Sequence, residues 1–150
     1  MRFTFDVVGE KQVDRTLARV ADDITDARPL WDKLANDFGR IESAQFASQG
    51  DYSGGWPALS PRYAAWKSRH YPGKPILQRT GALRRDLTAR PYGVERITGE
   101  SMTVGTDLPY ARYHQAGGGS LPRRRPVEFD EATRRRWVGI IQRYVMTGKA

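Results

Sequence analysis

Residues 94–106 read VERITGESMTVGT. Val94–Ile97 and Met102–Thr106 are short runs with β-branched residues, and such runs favour strands. Between them lies Thr98-Gly99-Glu100-Ser101, which is typical of a hairpin turn. An extension through Leu87–Arg90 would lengthen the first strand. We therefore expect an antiparallel hairpin here, and a further short strand at Phe3–Val8 that Gly9 ends.

Helical patterns flank this hairpin on both sides. Val13, Leu17, Val20 and Ile24 follow one another at spacings of four, three and four residues, which indicates an amphipathic helix. A second helix is predicted over 29–49, and a final helix after Asp130 carries Trp137, Ile140, Ile141, Tyr144 and Val145. The apolar face of the second helix comprises Leu30, Leu34, Phe38, Ile41 and Phe46. The expected fold class is α+β, with N-terminal helices and a C-terminal helix packed on a small antiparallel sheet.

Two long loops separate these elements. The first spans about 51–75 and contains one predicted helix, Pro61 to about Arg69, with Ser60 as its N-cap. The second, about 117–126, is Gly-rich and expected to be flexible. Thr80-Gly81 reads as a helix start before a short helical turn. Asp107 is expected to cap a short helix at 110–115 that Gly117 ends.

Composition places the chain among soluble globular proteins. It has 150 residues, of which 39% are hydrophobic and 28% charged, and it has no cysteine. We expect one domain over 1–150 that is made in a reducing cytoplasm, with neither a secretion signal nor a membrane span. The net charge of +8 is uneven, because residues 1–51 carry 7 Lys/Arg and 10 Asp/Glu whereas residues 52–150 carry 18 and 7. This asymmetry indicates a face for a polyanion or an acidic partner, or serves solubility alone.

The common enzyme motifs do not occur. The sequence has no phosphate-binding loop of the P-loop type and no Gly-x-Ser-x-Gly nucleophile elbow. The histidines, His70 and His114, do not have the spacing of zinc ligands, and we expect His70 to be solvated and His114 to pack or hydrogen-bond. Asp22, Asp23 and Asp26 read as a solvated helix face. The sequence predicts no cofactor, no metal site and no catalytic residue.

Arginine runs are the remaining candidates for a binding function. Arg134, Arg135 and Arg136 lie in the first turns of the predicted last helix, where a positive charge opposes the helix dipole at a cost of a few tenths of a kcal/mol. That cost suggests a use with phosphates or with carboxylates of a neighbouring subunit. The other predicted contact residues are Arg84, Arg85, Arg123, Arg124 and Arg125. Any contact with DNA is expected to involve its backbone only.

Four segments in order resemble the phage virion morphogenesis family, the tail-completion proteins of Mu-like and P2-like phages. They read YSGGWPALSP at 52–61 followed by Tyr63 and Lys67, ILQRTGALR at 76–84, VGTDLPYARYHQAG at 104–117 and LPRRRPV at 121–127. The family tends to have a small residue where Arg124 stands and an aromatic residue where Val127 stands. The motif positions that we expect to be structural are Gly54, Trp56, Pro57, Thr80, Gly81, Tyr110, His114 and Gly117.

The resemblance implies a structural virion protein rather than an enzyme. It implies a neck, tail-completion, connector or terminator subunit that forms an oligomeric ring, with a hexamer expected. The implied partners are further copies of the chain, portal or connector proteins, tail-tube proteins and DNA in the lumen, with no membrane contact. The implied location is the virion, after assembly in the host cytoplasm.

Two alternatives stay open at this point. A sequence-nonspecific nucleic-acid-binding protein would share the basic segment, and it would bind duplex DNA with a steep dependence on salt. A small metal-dependent hydrolase such as a nuclease would use His114 as its base, and replacement of that histidine would abolish turnover.

Overall fold

The computed structural model describes the backbone of residues 2–4 and all of residues 26–149. The predicted helix over 13–24 and the end of the predicted first strand lie outside these ranges. The described elements, in chain order, are β1 Arg2–Thr4, α1 Arg28–Ala47, a 3-10 turn Asp51–Ser53, α2 Pro61–His70, α3 Ala82–Thr88, β2 Val94–Ile97, β3 Met102–Gly105, α4 Ala111–Ala116 and α5 Glu131–Thr147. This arrangement confirms the α+β fold class.

The sheet has the strand order β1-β3-β2, and both pairings are antiparallel. In the predicted hairpin Val94 pairs with Gly105 and Ile97 pairs with Met102, and the Thr98 amide donates to the Ser101 carbonyl at 2.9 Å across the turn. The predicted extension of β2 through 87–90 is wrong. Leu87 belongs to α3 and is fully buried together with Leu83, one helical turn earlier, so packing of this face against the core determines the local structure.

The core is built around α1, whose predicted apolar face is confirmed. All five residues of that face are no more than 5% exposed. Phe38 lies at the centre, with its ring edge-on to Tyr92 at 5.3 Å and to Phe129 at 6.2 Å between centroids. Trp137 of α5 is 1% exposed and closes the core from the C-terminal side. None of the described helices is long and apolar enough to cross a membrane.

A buried carboxylate joins α1 to α5. Asp37 is 5% exposed, and its Oδ2 accepts hydrogen bonds at 2.7 Å both from Trp137 Nε1 and from Arg136 Nη2. Its Oδ1 accepts from Arg40 at 2.9 Å. Because both oxygens accept hydrogen bonds, the negative charge of the buried Asp37 is stabilised.

Helix ends follow the predictions in part. The Asp130 side chain accepts from the Thr133 amide at 2.7 Å and Ser60 accepts from the Tyr63 amide, so both N-caps are confirmed. Gly117 ends α4 with a φ of +71°, as predicted. The cap at Asp107 is wrong. The Leu108 amide bonds to the Thr106 hydroxyl and the Ala111 amide to the Leu108 carbonyl, so a turn separates Asp107 from the start of α4.

A second carboxyl group in the core has no partner among the described residues. Glu42 of α1 is 0% exposed, and neither of its carboxyl oxygens accepts a hydrogen bond. Burial raises the pKa of Glu42 well above its ordinary value of 4.5. The folded chain therefore binds a proton that the unfolded chain releases, and stability falls as pH rises above 4.5 towards the folded pKa.

We expect Glu42→Gln to stabilise the chain by about 1–3 kcal/mol at pH 7, because the amide mimics the neutral acid that the core prefers. The gain should shrink by about 1.4 kcal/mol for each pH unit as the pH approaches 4.5. Urea unfolding at several pH values measures it. The control is Glu100→Gln, in the exposed hairpin turn. A gain that does not depend on pH would contradict the assignment of a neutral Glu42.

Candidate functional site

A groove of about 770 Å³ opens beside α2 and the start of α3. One wall comes from 58–67, a second from 77–83, a third from Tyr110 and His114 of the α4 region, and a fourth from 120–124. Each of the four sequence segments that carry the family resemblance therefore supplies one wall. Sequence spacing alone did not predict that these segments meet.

Two buried cations lie in this groove. Lys67 and Arg124 are each 4% exposed. The Lys67 ammonium donates to the Pro75 carbonyl, while Arg124 donates from Nε to the Pro57 carbonyl at 2.7 Å and from Nη2 to the Ala58 carbonyl at 2.8 Å. The Arg124 bonds join the fourth wall to the first, and the Lys67 bond joins α2 to the segment that precedes the second wall. Their acceptors are neutral carbonyl groups, so they leave the two positive charges uncompensated.

The positive charge of the groove is also visible in the pKa directions. Burial lowers the pKa of Lys67, and the charge of the nearby Arg124 lowers it further. The pKa of the His114 imidazole is lowered by the same two causes in the same order. Burial lowers the pKa of Arg124 as well. Within residues 26–149 neither Lys67 nor Arg124 forms a salt bridge, so an anion placed here would relieve an unfavourable field.

Tyrosines form the rim of the groove. Tyr63 and Tyr110 are 39% and 41% exposed, and Tyr110 meets the ring of His114 edge-on at 6.2 Å. On the outer face of α2, Trp66 stacks between Tyr63 at 5.6 Å and His70 at 4.6 Å. His70 is exposed, as predicted, although its ring is also held by this stack. Partly exposed aromatic rings are frequent at protein–protein interfaces.

The loop before α2 is held in the core by Trp56. Trp56 is 7% exposed, packs edge-on against Phe46 at 5.3 Å, and donates from Nε1 to the Arg125 carbonyl at 2.9 Å. Gly54 ends the 3-10 turn with a φ of +79°, and the Pro57 carbonyl accepts from Arg124. The loop thus brings the first wall of the groove against the fourth.

Gly50 and Gln45 complete this anchor, and sequence reasoning missed both. A Cβ on Gly50 would come within 2.4 Å of the Trp56 ring. Gln45 is fully buried, accepts from the Tyr52 amide at 3.0 Å and donates to the Arg125 carbonyl at 3.3 Å. The only signal for Gln45 is a polar residue beside Phe46 on an apolar helix face, which alone is too weak to identify an anchor.

Helix α3 begins at the second wall. Gly81 occupies the N-cap position with a φ of +83°, and the Thr80 hydroxyl accepts from the Ala82 amide at 3.4 Å. A positive φ is accessible to glycine without the steric cost that a Cβ carries. Thr80 and Gly81 thereby turn the chain from the groove wall into the helix.

The predicted contact arginines fall into three groups. Arg125, Arg134, Arg135 and Arg136 form salt bridges within the chain, with Glu128, Glu128, Glu131 and Asp37 respectively. Arg124 lies in the groove, and Arg123 donates to the Gln115 carbonyl at 3.2 Å. Arg84 and Arg85 are exposed on α3, and the described residues offer them no ion pair. Because Arg124 is buried and four others are paired with carboxylates of the chain, the eight arginines do not form one free basic surface.

The groove contains one candidate base, His114. Its Nδ1 is buried and has no hydrogen-bond partner among the described residues. A general base is normally oriented by a second group, such as a carboxylate, on the other ring nitrogen. Across residues 26–149, no three His, Cys, Asp or Glu side chains cluster closely enough to hold a metal ion.

Comparison with known proteins identifies the family. The model of the phage virion morphogenesis family matches residues 8–146, which is nearly the whole chain. No curated protein and no solved structure shows significant similarity to the chain. The match includes all four walls of the groove. The chain belongs to the phage virion morphogenesis family.

Proposed function

We propose that this chain is a structural subunit at the head–tail junction or tail end of a tailed phage, where it forms an oligomeric ring and catalyses no reaction. Membership of the family gives it a role in virion morphogenesis. The neck or tail-end position, the ring and the non-enzymatic role are the proposal. Its partners are further copies of the chain, the portal or connector, and the tail tube.

One observation carries the proposal: the four motif segments build a single groove with a tyrosine rim and a cationic floor. The cations of the groove bind backbone carbonyl groups, two helices begin at its walls, and the buried Trp56 lies next to it. All of these features position segments of the backbone. In the described residues His114 is not bonded to a nucleophile or to an orienting carboxylate. Such a surface fits recognition between proteins better than acyl or phosphoryl transfer.

A ring of such subunits closes through head-to-tail contacts, in which two different surfaces of the chain meet. We infer a hexamer from the family resemblance. The exposed pair Arg84 and Arg85 is then the part of the arginine set best placed to face DNA in the lumen, because both side chains are free of ion pairs within the described residues.

Disruption of the gene in its phage tests the proposal. We expect filled heads and separate tails to accumulate in electron micrographs, and infectivity to return when the gene is supplied in trans. Intact infectious particles in the absence of the protein would contradict the proposed position.

The affinity of the isolated subunit for duplex DNA separates the proposed virion role from the DNA-binding alternative. For a virion subunit we expect weak binding, and the double change Arg84→Ala with Arg85→Ala should reduce the slope of log K against log salt by about two. Fluorescence anisotropy at several salt concentrations measures this slope. The matched control is Arg62→Ala with Arg69→Ala, two exposed positions on α2. Tight binding with a steep slope that the Arg84 and Arg85 changes leave intact would favour a nucleic-acid-binding protein whose contacts lie elsewhere.

A further inference from the structure

We propose that the groove binds an extended, acidic segment of a different virion protein, with a carboxylate on the cationic floor and apolar side chains against the walls. This inference deepens the proposed function and rests on it for the setting in the virion. Binding itself is a property of the isolated chain, so it is measured separately.

The charge of the lining selects an anionic ligand. Lys67 and Arg124 lie within it, Arg79 lines its exposed edge, and none of its described lining residues is acidic. The Lys67 ammonium uses one of its three N–H groups on the Pro75 carbonyl, and Arg124 Nη1 has no partner among the described residues. Donors are therefore left for a carboxylate, which forms charge-assisted hydrogen bonds with both groups.

The walls select a ligand that also has apolar side chains. Leu59, Leu77 and Leu121 line the groove beside the tyrosines. Leu77 has a φ of +59°, a conformation that is strained for a residue with a bulky side chain. Strained residues concentrate at binding sites, where the surrounding structure holds them. An extended peptide with alternating acidic and apolar residues matches both the walls and the floor.

Charge also decides between the possible sources of such a ligand. A second copy carries a net charge of +8, and its residues 52–150 carry 18 Lys/Arg against 7 Asp/Glu, so this part of it is a poor donor of an acidic segment. Its acidic residues Asp22, Asp23 and Asp26 would still have to approach against the net repulsion between two copies, and the oligomer measurement below tests this occupant. Duplex DNA is negative, but its phosphates are best met by exposed basic side chains, whereas Lys67 and Arg124 are each 4% exposed within a concave groove. A different, acidic protein fits both conditions.

A selection from a random peptide library on the full chain tests this inference. We expect enriched peptides to carry Asp or Glu next to Leu or aromatic residues. Replacing the acidic residue of a selected peptide by its amide should weaken binding by about tenfold or more. Fluorescence anisotropy with the labelled peptide measures the affinity.

Variants of the chain locate the binding site. Arg79→Glu should weaken peptide binding by about tenfold or more, since it reverses a charge at the edge of the groove. The contact it gives up is that of the guanidinium over the ring of Tyr71, at 5.9 Å from the centroid. The matched control Arg96→Glu makes the same change of charge at an exposed position of β2 and should leave the affinity unchanged. Lys67→Met removes the ammonium group from the floor of the groove and should weaken peptide binding as well.

Four outcomes would overturn the inference. The first three are no enrichment of acidic peptides, equal affinities in Arg79→Glu and Arg96→Glu, and displacement of the peptide by duplex DNA in a manner sensitive to Arg79→Glu. An oligomer in solution that Arg79→Glu alone dissociates would assign the groove to a second copy. Failure of peptide binding leaves the result of gene disruption unaffected, so the two proposals can fail separately.

Discussion

Trp56→Ala is expected to lower the free energy of unfolding by about 3–5 kcal/mol, a large share of the stability of a domain of this size. The change removes a side chain that is 7% exposed, its edge contact with Phe46, and the hydrogen bond to the Arg125 carbonyl. The cavity lies where the first and fourth walls of the groove meet. Urea unfolding followed by circular dichroism measures the loss.

Two variants separate the contributions of Trp56. Trp56→Phe keeps most of the buried area but removes the Nε1 hydrogen bond. Loss of this bond should lower the free energy of unfolding by about 1 kcal/mol, and the smaller ring should lower it by a smaller further amount. Trp66→Ala removes a tryptophan that is 38% exposed, and about 1 kcal/mol or less is expected. Equal losses for Trp56→Ala and Trp66→Ala would show that Trp56 does not anchor the loop.

Asp37→Ala is expected to cost about 1.5–3 kcal/mol, since the buried Trp137 indole loses its bond to a charged acceptor while the two arginine partners stay hydrated. Trp137 Nε1 loses a 2.7 Å hydrogen bond in a side chain that is 1% exposed, and Arg136 and Arg40 lose their shared counter-ion. Thermal and urea unfolding both measure the effect. The backbone amides of α1 and α5 around this contact should also exchange their hydrogens faster than in the unchanged chain.

Asp32→Ala is the control for Asp37, because Asp32 lies on the same helix and pairs with Arg90 at 2.8 Å, while its side chain is 52% exposed. A loss below about 1 kcal/mol is expected for this surface pair. If Asp37→Ala destabilised the chain no more than Asp32→Ala does, the buried contact between α1 and α5 would add no more to the free energy of unfolding than a surface ion pair.

Elements with a strong local pattern were predictable from sequence. The face of α1 repeats at helical spacing, the 94–106 hairpin has a recognisable turn, and Ser60 and Asp130 act through amides three residues away. Each of these patterns involves residues that are close together in the sequence, so it can be recognised without the tertiary structure.

The errors and omissions depend on contacts between distant segments. Leu87 is helical because it packs against the core beside Leu83, although its local sequence allowed a strand. The pairing of Asp37 with Trp137 joins residues 100 positions apart. Arg124 was predicted as a contact residue from a charge run, and the run does not indicate that this side chain is buried against Pro57 and Ala58. The groove could not be predicted because its walls meet only in three dimensions.

A structural component at the head–tail junction or tail end, as we propose this chain to be, must be present in the finished virion. Absolute quantification by mass spectrometry of purified virions, isolated tails and isolated heads gives the number of copies in each. We expect a fixed, small copy number that fits one closed ring per particle and that stays with the junction or the tail end. Absence from purified particles, or a copy number that varies between preparations, would contradict the proposal.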